Sequence, residues 1–431
     1  MLYHLYETQR ALMAPFSEFA SASAKLYEHP LSPFAHMPMS MSQRMSAGFD
    51  LLHRLAKEYE KPPFGINSVK VGPGIEVAVQ EQVPIRKPFC RLVRFKRFTD
   101  NPTALALMKS QPTVLVVAPL SGHHSTLLRD TVTSLLQDYK VFITDWTDAR
   151  MVPLEEGPFH LDDYVDYVRE FLRHIGPSVH VISVCQPTVP VLAAISLQAT
   201  AGDVMPQTMT MMGGPIDARS SPTAVNHLAV ERSHSWFENN VIFRVPQNYP
   251  GAGRRVYPGF LQHTGFVAMN PDRHATSHYD YFLDLVRGDG SSADSHRKFY
   301  NEYNAVLDMP AEYYLDTIKV VFQDFALVNG TWKVRGKPVR PQDITGTALL
   351  TVEGELDDIS GQGQTKAAHA LCTGVPDERS LHMDVKGAGH YGIFSGRRWR
   401  EKVYPQVREF IARFHHEDGE SKPPVKPSRR R

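Results

Sequence analysis

From residue 113 onward, the sequence is built around short apolar runs, each with the length of a buried β-strand. Stretches with helical periodicity separate several of these runs, among them residues 161–175 and 189–197. Strands that are apolar on both faces and alternate with helices indicate an α/β protein with a mostly parallel, doubly wound sheet. The runs, in chain order, are "TVLVVAPL", "KVFITDW", "HVISV", "TMTMMGGPI", "TALLTVEG" and "SLHMDVKG".

This β-α rhythm stops between residues 218 and 345, where aromatic residues and prolines are frequent, and then resumes. We therefore expect residues 111–217 and 346–416 to form the two parts of one core, with residues 218–345 inserted as a lid or cap. Residues 1–110 form an N-terminal extension in this interpretation. The last segment, 417–431, is polar, charged and proline-containing, which predicts a disordered tail.

The N-terminal extension is predicted to contain two amphipathic helices, a β-hairpin and a further strand. Apolar side chains recur every three or four residues over 2–20 and again over 49–59, where prolines end the pattern. We expect both apolar faces to pack against the body of the protein, and anchoring to an apolar surface is the alternative. The hairpin is predicted around Gly72–Gly74, and the strand over 89–98.

Composition and charge exclude several classes of protein. The 431 residues carry a net charge of +1, so no electrostatic attraction to nucleic acid is implied. Cys90, Cys185 and Cys372 are isolated, which excludes a complete disulfide framework and a CxxC metal knuckle. The first residues do not have the pattern of a signal peptide, and no apolar run is long enough to form a transmembrane segment. The sequence therefore predicts a cytoplasmic protein without metal or cofactor.

The segment "SVCQP" places Cys185 directly after an apolar strand and before a predicted helix. Free cysteine is often a small buried hydrophobe, and packing is the simple interpretation. A sharp strand-to-helix turn, however, is also where a nucleophile elbow exposes its reactive atom above a sheet. Such a turn needs small or specially shaped neighbours, and Ser183 precedes the cysteine by two residues. Pro187 follows it by two, where glycine is usual.

Proline at position 187 is compatible with this turn, because it fits the first turn of a helix. The backbone N–H of Gln186 stays available to stabilise an oxyanion. A second donor is expected from the loop after the strand "VLVVAPL", at Leu120 and Ser121. The partial positive charge at the start of the helix favours the thiolate form of the cysteine.

A cysteine nucleophile needs a base and a group that orients the base. In α/β-hydrolase chain order the acid follows the nucleophile and the histidine comes last. Asp357 and Asp358 follow the strand "TALLTVEG", and His390 lies in a glycine-rich loop after the next strand. We choose Asp357, although the sequence barely separates it from Asp358.

Three other motifs offer competing interpretations. "GAGHYG", residues 387–392, matches a dinucleotide fingerprint, but no strand with a ribose-binding acid can follow it so near the C-terminus. His123 and His124 lack companions at metal-ligand spacing, which favours a structural role. The remaining carboxylates of "EGELDD", Glu353 and Glu355 among them, fit either a solvated loop or a divalent-ion site.

The sequence also contains longer distinctive blocks, among them "VLVVAPLSGHHSTLLRDTV", "HVISVCQPTVPVLAAISL", "RRVYPGFLQHTGFVAMNP", "YNAVLDMPAEYYLDT" and "GHYGIFSGRRWRE". These blocks resemble the intracellular poly(3-hydroxybutyrate) depolymerases of bacteria. The resemblance covers essentially the whole chain except the tail and suggests an α/β-hydrolase fold. It implies a Cys-Asp-His triad at Cys185, Asp357 and His390, with cysteine where most esterases have serine.

The same resemblance implies the substrate and the partner. The substrate is the amorphous polyester of cytoplasmic poly(3-hydroxybutyrate) granules, the products are 3-hydroxybutyrate or its oligomers, and the granule surface is the partner. A homodimer is left open. The aromatic-rich insertion fits a lid that shapes an apolar groove for the polyester. We expect four of its side chains to contact substrate: Trp236, Phe237, Phe260 and Phe266.

Two alternatives belong to other functional classes. A polyhydroxyalkanoate synthase has a similar architecture and a similar triad, but transfers acyl groups from coenzyme A. Synthases typically have glycines around the cysteine, and "SVCQP" has none. A non-catalytic granule-associated protein would use only the amphipathic N-terminus and would not need Cys185.

Overall fold

The computed structural model describes residues 2–29, 33–34 and 39–415. The predicted disordered tail, 417–431, lies outside the described residues. The strands within these ranges are β1 (Ser68–Val71), β2 (Ile75–Arg86), β3 (Cys90–Phe98), β4 (Thr113–Val117), β5 (Lys140–Trp146), β6 (Val179–Val184), β7 (Thr208–Met212), β8 (Phe243–Arg244), β9 (Arg255–Tyr257), β10 (Met309–Pro310), β11 (Lys333–Val334), β12 (Lys337–Pro338), β13 (Ala348–Gly354) and β14 (Ser380–Val385).

The helices are distributed along the whole described chain. Two short π-helical turns, Ile318–Gln323 and Trp399–Val403, follow α12 and α14. The α-helices are α1 (Leu2–Glu28), α2 (Met39–Ala56), α3 (Pro102–Ser110), α4 (Arg129–Leu135), α5 (Leu161–Ile175), α6 (Thr188–Ala201), α7 (Ala224–Glu231), α8 (His234–Asn240), α9 (Gly259–Met269), α10 (Pro271–Arg287), α11 (Gly290–Tyr303), α12 (Ala311–Thr317), α13 (Ala368–Leu371), α14 (Gly396–Arg398) and α15 (Tyr404–Phe414).

A single large sheet organises the molecule. Within the described residues it has nine strands in the order β1-β2-β3-β5-β4-β6-β7-β13-β14. The pairs from β5 to β14 are parallel, whereas β1, β2 and β3 join the edge beyond β5 in antiparallel pairs. This order, with a helix after most parallel strands, is that of an α/β-hydrolase, as the sequence predicts.

The burial of the strands follows from their position in this sheet. β6, β7 and β13 are buried at every residue, because neighbouring strands and helices cover both faces. β2 instead alternates buried and exposed residues over its first half, as expected for an antiparallel strand with one solvated face. Cys90 and Cys372 are buried in the main core, which agrees with a packing role.

The insertion between β7 and β13 contains helices α7 to α12 and two small sheets. The three-stranded sheet has the order β10-β9-β8, and β11 pairs with β12. The sequence pattern predicts helix over 301–322, and both ends of this segment are helical while its middle is extended. The chain leaves α11 at Tyr303 and becomes helical again only at Ala311. The extended piece between them pairs with the loop after β4, through a bridge between His123 and Val306.

The two N-terminal helices form as predicted, but the expectation about their apolar faces is wrong. α1 packs against α2 mainly through small residues such as Ala20 and Ala24, and α2 also packs against α10. The large apolar side chains point to solvent instead. We call this surface the apolar plate; its members are Leu2, Leu5, Leu12, Met13, Phe16, Phe19 and Leu26 of α1, and Met41, Met45, Leu52 and Leu55 of α2.

Neither of these helices is a membrane span. No helix in the described part of the chain combines the length and the apolar character that crossing a bilayer requires.

A buried polar cluster attaches α1 to the insertion. The Tyr3 hydroxyl donates to Asp308 Oδ2 at 2.5 Å, and the other oxygen of Asp308 accepts from the backbone N–H of Gly259. Asp148 lies beside Asp308 and pairs with Arg150, whose Nε is 2.9 Å from Asp148 Oδ2. Burial and the charge of Asp308 raise the pKa of Asp148 to about 7, and burial also raises the pKa of Asp308.

This cluster predicts a pH dependence of stability. A carboxyl group whose folded pKa is raised stabilises the fold below its unfolded pKa, near 4, and loses that contribution as the pH rises through its folded pKa, about 7. We expect the melting temperature of the wild-type protein, compared with that of Asp308→Asn, to fall by about 2 °C or more between pH 5 and pH 8. Parallel pH profiles for the two proteins in thermal melts contradict this expectation.

Candidate active site

The C-terminal ends of β4, β6, β7, β13 and β14 meet at one edge of the sheet. The chain runs from β4 to β5 on one side and returns to β6 on the other. The strand order therefore reverses at β4. In open α/β sheets, the crevice outside such a reversal is where ligands bind. Every loop that carries a predicted catalytic residue emerges at this edge.

Cys185 occupies the turn between β6 and α6 in a left-handed backbone conformation. Its φ is 68°, and it is one of four non-glycine residues with positive φ among the described residues. Such a conformation costs a non-glycine residue about 1–3 kcal/mol and is concentrated at functional sites. The backbone N–H of Cys185 donates to the Met212 carbonyl at 2.7 Å, and its carbonyl accepts from the N–H of Thr188. The side chain is half-buried, in contrast to Cys90 and Cys372.

Two glycines after β7 make room for this turn. At Gly214, a Cβ atom would overlap the Thr188 hydroxyl and lie 2.6 Å from the Cys185 carbonyl oxygen. At Gly213, which has a φ of +57°, a Cβ atom would lie 3.3 Å from both Asp357 Oδ2 and His390 Cε1. The close approach of β7 to the site therefore depends on the absence of side chains at these two positions.

The structure brings His390 together with Asp357, and not with Asp358. His390 Nδ1 lies 2.7 Å from Asp357 Oδ2, and the side chains are 4% and 0% exposed. The second oxygen of Asp357 accepts backbone N–H groups from Ile359 and Ser360, at 2.9 and 2.8 Å. These bonds hold the carboxylate against the imidazole. Asp358 turns away and accepts a hydrogen bond from the Asn270 side chain.

The electrostatic environment of His390 connects it with both partners. Burial by itself disfavours the charged imidazole. The negative charges of Asp357 and Cys185, together with hydrogen bonds to both side chains, outweigh burial and raise the pKa of His390 well above its usual value. The thiol is therefore near enough to the imidazole to interact with it electrostatically. Cys185, His390 and Asp357 can act as a nucleophile, a base and an orienting acid.

The predicted oxyanion donors lie at the ends of β4 and β6. Among the described residues, the N–H groups of Gln186, Leu120 and Ser121 have no backbone acceptor. They are therefore free to bind an oxygen that becomes negative. The side chain of Gln186 is buried and accepts a hydrogen bond from the Tyr313 hydroxyl, while its Nε2 has no partner.

A cavity of about 530 Å³ lies beside His390. Of the four predicted substrate-contacting aromatics, only Phe266 lines it, where the ring stacks on His123. Phe237 is buried in a small core within the insertion, and Trp236 packs against it. Phe260 stacks on Tyr6 of α1 instead. The other aromatic residues of the cavity come from α11 and from the loop after β14: Phe299, Tyr300, Tyr303 and Tyr391.

The competing motifs have local roles in the structure. Burial lowers the pKa of His123 to about 4 and that of His124 to about 3, so both imidazoles are neutral near pH 7. Glu353 accepts three backbone N–H groups from the chain after Asp357, and Glu355 accepts that of Gly387. The glycine-rich loop "GAGHYG" thus carries His390 and is itself held by an acidic side chain.

Three solved structures illustrate what the fold is similar to. A thermophilic esterase from Thermogutta terrifontis is 12% identical, with a TM-score of 0.40, over 81% of this chain and 98% of that one. The 2-hydroxy-6-oxo-6-phenylhexa-2,4-dienoate hydrolase from Rhodococcus sp. strain RHA1 is 12% identical, with a TM-score of 0.42, over 78% and 99%. A monoacylglycerol lipase from Paleococcus ferrophilus is 12% identical, with a TM-score of 0.41, over 70% and 96%. The search of curated proteins found no match.

The strand order defines the chain as an α/β-hydrolase, and together with the family match it makes the protein a carboxylic ester hydrolase. The family model described as PHB de-polymerase C-terminus matches residues 213–415 of the chain. These residues include Asp357, His390 and the whole insertion, whereas Cys185 precedes them.

Several residues around the site were not predicted from the sequence. Gly213 and Gly214 could have been predicted as site residues, since two glycines directly after a buried strand indicate a close backbone approach. No sequence pattern marked Tyr313 as a site residue, because its hydrogen bond to Gln186 joins residues that are 127 positions apart in the chain. Arg273 and Arg398 also line the cavity, and no motif marked either of them.

Substituting Gly213 by alanine tests whether the close approach of β7 matters for activity. We expect Gly213→Ala to lower kcat/KM for an ester about tenfold or more, because the methyl group pushes on Asp357 and His390. Gly202→Ala is the matched control: Gly202 also has positive φ, at +64°, but nothing lies within 4 Å of its Cβ position. Both variants should melt at slightly lower temperature. Equal activity of the two variants contradicts the expectation.

Proposed function

We propose that the protein is an intracellular poly(3-hydroxybutyrate) depolymerase that hydrolyses the amorphous polyester of cytoplasmic granules. Cys185, His390 and Asp357 are its catalytic triad, and a thioester is its intermediate. One observation supports this proposal above all others. Cys185 lies on a left-handed turn at the sheet edge, and its thiol interacts electrostatically with His390, whose imidazole is bound by Asp357. The family match to residues 213–415 supports the choice of poly(3-hydroxybutyrate) as the ester.

The first half of the reaction forms the acyl-enzyme. His390 Nε2 takes the thiol proton, and the Cys185 sulfur attacks the ester carbonyl carbon. The developing oxyanion binds the N–H of Gln186 and one N–H from Leu120 or Ser121. The C–O bond of the ester then breaks, His390 returns the proton to the leaving alkoxide, and a hydroxyl-terminated fragment departs. Asp357 keeps Nδ1 protonated and thereby fixes the tautomer that places a lone pair on Nε2.

The second half releases the acid. His390 takes a proton from water, the resulting hydroxide attacks the thioester carbon, and the C–S bond breaks. The thiolate recovers its proton from the imidazolium, which returns the site to its initial state. In this proposal the insertion acts as a lid, because Phe266, Phe299 and Tyr303 give the cavity an apolar wall that limits access of water to the intermediate.

The nucleophile is tested by substitution and by alkylation. We expect Cys185→Ala to reduce release of 3-hydroxybutyrate from amorphous granules by at least about a thousandfold, and one equivalent of a thiol reagent to inactivate the wild-type protein. Cys372→Ala is the control and should stay active, because burial raises the pKa of its thiol to about 12 and leaves it unreactive.

Two outcomes of this experiment favour other functions. Unchanged granule binding by Cys185→Ala, with no hydrolysis by any form of the protein, points to a non-catalytic granule-associated protein. Consumption of 3-hydroxybutyryl coenzyme A with growth of polymer points to a synthase. Release of 3-hydroxybutyrate without use of coenzyme A supports the depolymerase.

We further propose that the apolar plate of α1 and α2 binds the granule surface. Eleven large apolar side chains on two adjacent helices face solvent; Leu12 is 75% exposed and Phe19 is 61% exposed. A contiguous exposed apolar surface of this kind marks an interaction site. An insoluble polyester needs such an attachment, because the enzyme must reach chains that do not diffuse to it.

The charges of the two helices favour an uncharged surface over an anionic membrane. Helices that lie on anionic lipid are rich in lysine and arginine on their polar face. α1 and α2 instead carry equal numbers of acidic and basic side chains, so no net attraction to anionic lipid results. The acidic residues are Glu7, Glu18, Glu28 and Asp50, and the basic residues are Arg10, Lys25, Arg44 and Arg54.

The variant Leu12→Asp/Phe19→Asp tests this assignment. We expect it to lose most of its binding to amorphous polyester particles in sedimentation assays, because two charges would have to be buried against the polymer. Its hydrolysis of a soluble ester should stay within about twofold of wild type. Thr8→Asp/Ser23→Asp is a control with the same added charge on the same helix.

Two results contradict the assignment. Equal loss of soluble and polymeric activity shows that the substitutions damage the fold. Retained particle binding together with a change from dimer to monomer shows that a second copy of the chain covers the apolar plate.

A further inference from the structure

The cavity beside His390 contains two arginines that the catalytic mechanism does not use. Arg273 comes from α10 in the insertion, and Arg398 comes from α14 after the histidine loop. They reach the same cavity from two parts of the chain separated by 125 residues. One carboxylate, Asp358, also lines the cavity.

Arg398 lies against the loop that carries His390. A Cβ atom at Gly387 would lie 3.3 Å from Arg398 Nη2, and a Cβ atom at Gly392 would lie 4.0 Å from its Cδ. Gly387 also has a left-handed φ of +67°. The absence of a side chain at Gly387 therefore lets the guanidinium group of Arg398 pack closely on the loop that carries His390.

Arg273 lines the same cavity together with its aromatic residues. It is close enough to interact electrostatically with Tyr303 and with Tyr391, the residue after His390. Asp358 acts on the same two tyrosines. Its carboxylate accepts a hydrogen bond from the Asn270 side chain, and no ion pair within 4 Å joins it to Arg273 in the described part of the chain.

Neither guanidinium has a protein acceptor within the described part of the chain. Neighbouring arginines differ in this respect: Arg400 pairs with Asp130, and Arg297 pairs with Asp294. The lining of the cavity therefore carries two positive charges, on Arg273 and Arg398, and one negative charge, on Asp358, so its net charge is positive. Guanidinium groups bind carboxylates well, through charge-assisted hydrogen bonds.

The cavity also lies on a defined side of the reaction centre. His390 lines it, whereas Cys185 does not. His390 is the group that protonates the leaving alkoxide in the proposed mechanism. The part of the substrate that leaves is therefore the part that extends past the imidazole into this cavity.

We infer that Arg273 and Arg398 bind the carboxylate of the leaving group, so that the enzyme preferentially cleaves esters near the carboxyl end of the polyester chain. This inference rests on the proposed function. In a polyester of hydroxy acids every internal carboxyl group is esterified, so only cleavage of the last ester bond places the free terminal carboxylate within one unit of the leaving alkoxide. The terminal C–O bond breaks, the alkoxide takes the proton of His390, and a hydroxy acid departs with its carboxylate ionised.

Two soluble substrates test the inference directly. One is the linear trimer of 3-hydroxybutyrate with a free carboxylate, and the other is the same trimer as its methyl ester. We expect wild-type kcat/KM to be about tenfold higher for the free acid, which corresponds to about 1.4 kcal/mol. This preference should shrink as ionic strength rises, since an ion pair accessible to solvent is screened by salt.

The arginine variants assign the preference to the cavity. We expect Arg273→Gln and Arg398→Gln each to raise KM for the free acid about threefold to tenfold, with kcat changed less, and to leave the methyl ester unaffected. Arg397→Gln is the matched control, because it removes a neighbouring exposed arginine that does not line the cavity.

The possible failures are distinguishable. Equal wild-type rates on the two trimers, or variants that impair both substrates equally, overturn the inference and leave the depolymerase intact. Hydrolysis of neither trimer nor granules by the wild-type protein overturns the proposed function itself.

Discussion

The site depends on one strained residue. Cys185 must adopt a left-handed conformation that disfavours any side chain, and the surrounding structure holds it there. The hydrogen bond from its N–H to Met212 and the absence of side chains at Gly213 and Gly214 allow β7 to pack directly behind the turn. Because β7 also borders β13, the same close packing places Asp357 and His390 within reach of the cysteine. The close packing of β7 therefore explains both the left-handed backbone of Cys185 and the arrangement of the three residues that we assign to the triad.

The insertion connects this centre with the rest of the molecule. Its extended piece around Val306 pairs with the loop after β4, while Phe266 packs over Gly122 in the same loop. On its other side, Asp308 binds Tyr3 and so attaches α1. The segment that shapes the cavity thus also carries the helix whose apolar plate we assign to the granule. The proposed granule-binding surface on α1 is therefore linked to the catalytic centre by packing contacts through the insertion.

Particular residues show how far the sequence predicted the structure. The strands were predictable because a strand buried on both faces is mostly apolar, although β6 and β7 also bury polar residues such as Ser183 and Thr210. Cys185 was marked by its position after such a strand. The choice between Asp357 and Asp358 was not decidable locally, since both follow the same strand; backbone N–H groups of Ile359 and Ser360 orient the first toward His390. The periodicity of α1 correctly predicted a helix with one apolar face. The prediction that this face packs against the protein was wrong, because periodicity does not tell whether protein or solvent covers a face.

The sequence by itself determined the α/β class, the order of the elements and the positions of Cys185 and His390, because periodicity, glycine and proline positions and chain order are local properties. It left the acid of the triad open between Asp357 and Asp358. Only the tertiary structure decided that Phe266 lines the cavity while Phe237 is buried elsewhere, and that Arg273 and Arg398 face one space. These facts arise from contacts between segments far apart in the chain. Such contacts depend on how whole layers pack, and no short stretch of sequence encodes them.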